Sequence, residues 1–174
     1  MAISQRLKQG IRALLAFTRG VDYDFAAQYL TEEQMVLFKK MSHTEQLHSV
    51  NVLRHVLKHN DSVPHDLALG ALMHDVGKSR YHLAVWQKTI SVLLKRFAPK
   101  LAQDLSLEEK LTFWRAPFVV RRYHPQWSAT LLAQTNASER AIWLARHHQD
   151  NADKWREHPH YELLCKLQTS DDVN

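Results

Sequence analysis

The sequence predicts an all-α, single-domain helical bundle of about nine helices. Three observations predict it. Apolar residues recur with helical periodicity almost throughout, and no run of alternating β-branched residues argues for a sheet. Helix-start signals recur along the chain. The composition is globular: 174 residues, 45% hydrophobic and 24% charged, with 4 Gly and 5 Pro. There is no internal repeat, low-complexity tract or linker.

Taken in order, a first amphipathic helix is expected over Ile3 to Thr18 and a second over Tyr23 to Leu30. Thr31 with Gln34 forms a capping-box pattern that opens a third helix through Lys40. Ser42 with Glu45 repeats that pattern and starts a long helix to about His59. Asn60 to Pro64 breaks the chain. Pro64 suits a first helical turn, and the next helix runs to Val76, with Gly77 as its C-terminal stop. A helix from His82 to about Phe97 follows. Ser106 with Glu109 opens a less regular stretch that Pro117 interrupts. Pro125 places a helix start just after His124, running to Gln134. Ser138 begins another, to about His148; the stretch from Asp150 to Pro159 reads as loop. A last helix runs from Tyr161 into "QTSDD". Residues 1–41 read as an N-terminal helical extension packing on a core formed by 42–174.

No apolar run is long enough to span a bilayer, and no secretory signal is visible. The single cysteine, Cys165, excludes an internal disulfide framework and suits a reducing cytoplasm. It reads as a packed core residue. The net charge of +5 mildly favours anionic partners but forms no stripe of the kind that marks a nucleic-acid binder. The outlying number is 12 His. Histidine is the commonest metal ligand and a neutral-pH proton carrier.

One stretch concentrates the question. In "LMHDVGKSR", Leu72 to Arg80, a histidine and an aspartate end an otherwise apolar helix. Burying an ionised carboxylate without a partner costs several kcal/mol. Further histidines sit elsewhere: His48, His55 and His59 share a face of one helix, His124 precedes Pro125, and His147 and His148 close a helix. Asp171 lies in the last helix. Spacing alone does not bring them together.

The order His48, His74-Asp75, His124, His147-His148, Asp171 resembles the HD-domain superfamily of metal-dependent phosphohydrolases. The matching pieces are "HSVNV" at 48–52, "HDVGK" at 74–78, "HPQWSATLL" at 124–132, "RHHQD" at 146–150 and "SDD" at 170–172. The extra histidines look like the subgroup that holds two metal ions. The resemblance implies a first metal on His48, His74, Asp75 and Asp171, with Asp75 bridging to a second held by His124 and by His147, His148 or both. It makes Asp75 and Lys78 the catalytic pair, with Lys78 facing a substrate phosphate. Mixed imidazole and carboxylate ligands suit two divalent ions of Fe, Mn, Co, Zn or Ni. Two such ions activate a water near neutral pH and clamp phosphoryl oxygens, so Cys165 has no chemical role.

Arg121 and Arg122 are candidates for substrate phosphate, and Trp127 for stacking a nucleobase. The implied activity is hydrolysis of a phosphomonoester or phosphodiester in a small substrate such as a nucleotide. Two alternatives stay open: a dinuclear iron oxygenase on the same fold, or a non-catalytic nucleotide- or protein-binding module. Two departures stand out. Ser128 replaces a glycine common in the family, and no Gly-Tyr-Pro follows "RHHQD", unlike the cyclic-di-GMP phosphodiesterase branch. The segment 95–120 reads as a lid or a wall. Neither the substrate nor the oligomeric state is written in the sequence.

Overall fold

The structure, a computed structural model, describes residues 20–107 and 111–174. The expected first helix therefore lies outside the described residues, as does Glu109 of the third capping pattern. The described residues form nine α-helices and no strand: α1 (Tyr23–Ala27), α2 (Glu32–Lys39), α3 (His43–Lys58), α4 (His65–Met73), α5 (Val85–Phe97), α6 (Pro99–Asp104), α7 (Ala116–Ala133), α8 (Glu139–His147) and α9 (Tyr161–Asp172). Two short 3₁₀ turns, Val76–Arg80 and Ala152–Trp155, join them. Among the described residues, no helix is long and apolar enough to cross a membrane.

The most apolar helix is the axis of the bundle. Every residue of α4 from Leu67 to Met73 is buried, as its near-continuous apolar run requires. Around it pack α3, α8 and α9, contributing Val52, Leu53, Leu144, Leu164 and Leu167, each fully buried. Ala26, Leu30, Phe38 and Met41 join the same cluster, so residues before 42 share this core. Helix α7 packs on α8 and on the first 3₁₀ turn, while α5 packs on α7 and α6 on α5.

The capping signals act as their chemistry requires. Thr31 Oγ1 accepts from Gln34 N at 3.3 Å, and Gln34 Oε1 accepts from Thr31 N at 3.0 Å. Glu45 Oε2 accepts from Ser42 N at 3.0 Å. Ser138 Oγ accepts from Ala141 N and itself donates to Asp66 Oδ1, tying the start of α8 to α4.

Three elements differ from expectation. Helix α7 begins at Ala116, with Pro117 in its first turn and Pro125 inside it. Pro117 therefore starts a helix instead of interrupting one, since an early position needs no N–H. Pro125 is tolerated because the carbonyl it leaves unpaired, that of Arg121, is reached by His124 Nδ1 at 3.1 Å. Second, α4 ends at Met73, and Gly77 is not its left-handed stop; it lies in the 3₁₀ turn with negative φ. Third, Cys165 is half-buried on α9, not a core residue.

Candidate metal centre

Gly77 seats the central turn. A Cβ there would lie 2.2 Å from the His124 carbonyl oxygen and 2.7 Å from Ser128 N. Only glycine permits that approach. The Gly77 N–H donates to Ser128 Oγ at 2.8 Å. Ser128 thus supplies the hydrogen bond that fixes the Asp75–Lys78 turn on α7.

That packing brings together groups from five helices. His74 caps the C-terminus of α4, and Asp75 follows in the bridge region at φ −98°, ψ 2°. His124 projects from the middle of α7, not from ahead of a helix, and His148 caps α8. His48 comes from α3 and Asp171 from the last turn of α9. His74, Asp75, His124 and His148 are all buried.

The tautomers follow from the backbone. Nδ1 of His74 donates to the Ala71 carbonyl at 3.0 Å, that of His124 to Val120 at 2.9 Å, and that of His148 to Ala145 at 2.8 Å. Each neutral ring therefore presents a lone pair at Nε2. Those lone pairs converge on Asp75. Its Oδ1 lies 3.2 Å from His124 Nε2 and 3.6 Å from His148 Nε2. Its Oδ2 lies 3.5 Å from His74 Nε2 and 2.5 Å from Lys78 Nζ. His124 Nε2 and His148 Nε2 face each other at 3.2 Å. His48 Nε2 meets Asp171 Oδ1 at 2.7 Å, with His74 Nε2 3.6 Å from that oxygen.

So many buried acceptors facing one another repel unless a cation lies among them. His74 Nε2 and Asp75 Oδ1 are buried without a hydrogen-bond partner, a cost that a ligand ion removes. The residues fit divalent metal. They form two overlapping groups, His48 with His74 and Asp75, and Asp75 with His124 and His148, whose ligating atoms within each group lie within 4.8 Å of one another.

The electrostatics show the same demand. Burial pushes the Asp75 carboxyl up, but the Lys78 ammonium, the His74 ring and the facing imidazoles of His124 and His148 hold it well below the carboxylate range. At Asp171, burial is outweighed by the hydrogen bond with His48 and by the His74 ring beside it, which lower it. At His74, burial favours the neutral ring, yet the Asp75 and Asp171 carboxylates raise its pKa. At His148 burial dominates, and the pKa falls to about 4.

His147 stays outside the cluster. Its Nδ1 pairs with Asp150 Oδ2 at 2.7 Å, and its ring packs on Trp143 and Trp155. Trp127 does not offer a face for stacking. It is only 3% exposed, with Tyr123 stacked on it at 6.1 Å and the Arg80 guanidinium over it at 4.9 Å. Arg122 bonds Ser106 Oγ at 3.3 Å.

Two cavities open at the cluster. One of about 490 Å³ is lined by Glu45, His48, Asp75, Lys78, Tyr81, Arg121, His124 and Asp171. The other, of about 740 Å³, is lined by Ser91, Lys95, Gln103, Arg121, Arg122, His148, Gln149 and Asp171. Segment 95–120 forms part of the wall of the larger cavity through α5, α6 and the start of α7. Lys95, Gln149 and Glu45 also line these cavities, a role the sequence did not assign to them; Glu45 read there only as a capping residue. For Lys95 the available signal was its spacing four residues after Ser91 on one helix.

The family model for the HD domain matches residues 47–173. This chain belongs to the HD domain family. Neither a search of curated proteins nor one of solved structures finds a match. The HD domain superfamily comprises metal-dependent hydrolases, and its members bind divalent metals; the His and Asp groups of this HD domain are able to hold them.

Proposed function

We propose that this HD domain is a metal-dependent phosphohydrolase that cleaves a phosphomonoester or phosphodiester in a small substrate such as a nucleotide. The observation that carries the reading is the sharing of Asp75. One buried carboxylate turns Oδ1 to His124 and His148 and Oδ2 to His74. We assign His48, His74, Asp75 and Asp171 to one metal ion and Asp75, His124 and His148 to a second. All of these ligands fall within residues 42–174, and Ala26, Leu30, Phe38 and Met41 pack on that part of the chain.

Divalent ions held by these residues would lower the pKa of a water so that it gives up its proton near neutral pH and becomes a nucleophile, and would offset the charge that develops on the phosphoryl oxygens. The chain does the rest. The three Nδ1–H bonds to backbone carbonyls hold the imidazoles in the ligating tautomer. Lys78 is anchored on Asp75 and lines the smaller cavity, where its ammonium meets a phosphate oxygen. Arg121 lines both cavities and Lys95 the larger. Neither makes an ion pair among the described residues, which leaves their charge for substrate. Arg122, bonded to Ser106, shapes the same wall.

The test begins with metal analysis of protein purified without chelator. A panel of phosphomonoesters, phosphodiesters and nucleotides is then assayed anaerobically with the metal found. Phosphate ester cleavage that disappears, together with bound metal, in Asp75→Ala supports the reading. Turnover that requires dioxygen and releases no phosphate refutes it. Metal and hydrolysis both retained in Asp75→Ala would remove Asp75 from the centre.

A further inference from the structure

Helix α5 is seated with its amphipathic pattern inverted. Its inward side is polar: Gln87 and Ser91 are buried, and Gln87 Nε2 donates to the Phe113 carbonyl at 3.0 Å. Its outward side is apolar. Trp86, Ile90, Leu93 and Phe97 fall within about 60° of one another at roughly 100° per residue, and they are 43, 37, 49 and 79% exposed. Phe113 and Trp114, 52 and 70% exposed, pack against Trp86 with ring centroids 5.3 and 6.3 Å away. Leu101 of α6, half exposed, adds to the exposed apolar surface of this region. Single exposed apolar residues are ordinary, but an aromatic-rich ridge of this extent marks a surface that meets something less polar than water.

We propose that this ridge docks on the surface of an anionic lipid bilayer. Charge selects that occupant. Arg96 and Lys100 are exposed on α5 and α6, and from Trp86 to Trp114 the sequence carries five cations, Lys88, Lys95, Arg96, Lys100 and Lys110, against three acids, Asp104, Glu108 and Glu109. Two copies of the chain joined across the ridge bring two surfaces with the same cationic excess together. Lipid headgroups pair with those cations while Trp86, Trp114, Phe97 and Leu93 enter the boundary between headgroup and acyl chain. The same two helices line the larger cavity through Ser91, Lys95 and Ala102, so a docked ridge sets that cavity beside the lipid surface.

The test is co-sedimentation of the full chain with vesicles of phosphatidylcholine alone and of phosphatidylcholine mixed with phosphatidylglycerol. Binding is expected to be about tenfold stronger to the mixed vesicles and to weaken with added salt. The double variant Leu93→Glu/Phe97→Glu, with an unchanged far-ultraviolet circular dichroism spectrum, should lose it. Brominated lipid in the mixed vesicles should quench tryptophan fluorescence of the unmodified protein, which decides the matter even where the double variant does not fold. No quenching, or vesicle binding that survives the double variant, overturns the proposal. So does a dimer, seen by light scattering, that the variant dissociates while the unmodified protein ignores vesicles.

Discussion

Replacing Gly77 with alanine adds one methyl group between the turn that carries Asp75 and the helix that carries His124. The new Cβ would sit 2.2 Å from the His124 carbonyl oxygen, where real contacts begin near 3.0 Å. The obstacles are backbone atoms and the Ser128 side chain, so no flexible tip can swing away. The turn and α7 must separate by about 0.8 Å at that point. Overpacking of this kind costs about 1–3 kcal/mol. Stretching the Gly77 N–H bond to Ser128 Oγ adds about 1 kcal/mol. The sum, about 2–4 kcal/mol, corresponds to a fall in Tm of about 4–16 °C for a chain of this size. Asp75 Oδ1 and His124 Nε2, now 3.2 Å apart, move away from each other, and displacements near 1 Å cost about a hundredfold in a preorganised site. Calorimetry and metal analysis of Gly77→Ala are the assays. A variant that melts within about 2 °C of the parent and keeps its full metal content refutes the close-approach argument.

The two adjacent histidines should separate in their effects. His148→Ala is expected to lose metal and hydrolysis, whereas His147→Ala keeps both and loses about 1 kcal/mol of stability with its Asp150 bond; equal metal loss in both would contradict the geometry. The pKa of His148 predicts a direction with pH. Its folded value of about 4 lies below the ordinary 6.5, so the unfolded chain binds the proton first. The contribution of this ring is complete above about pH 6.5 and falls as pH drops toward 4, by about 2 kcal/mol between pH 7 and 5, while the raised pKa of His74 acts in the opposite direction. Urea midpoints of chelator-treated protein and of His148→Gln at those two pH values measure it: the variant should lose about 2 kcal/mol less stability than the parent between pH 7 and 5. Cys165→Ser should leave turnover nearly unchanged, because the half-buried thiol lies outside both cavities; a loss above about tenfold in a folded variant, about 1.4 kcal/mol, argues against a metal-based reaction.

The helices and the family were legible before any coordinate because their signals are local. Thr31 with Gln34 and Ser42 with Glu45 are three residues apart, and one turn of backbone decides whether such pairs meet. The apolar run of α4 declares its own burial. The His-Asp pair at 74–75 drew attention for a local reason too, since a carboxylate ending such a run needs a partner.

What the chain does with Pro125, Gly77, Trp127 and His148 depended on contacts between elements distant in sequence. Pro125 reads locally as a helix boundary, yet it lies inside α7 because His124 takes up the carbonyl it frees. Gly77 reads as a stop and is instead the gap through which a turn meets α7, a constraint set by His124 and Ser128 some fifty residues on. Only packing turned His148 inward and His147 toward Asp150, because adjacent helical positions point about 100° apart and the sequence carries no zero for that angle. The same geometry buried Trp127 and sent the apolar stripe of α5 outward. The sequence by itself determined which residues have metal-binding chemistry; the tertiary structure decided which of their lone pairs meet.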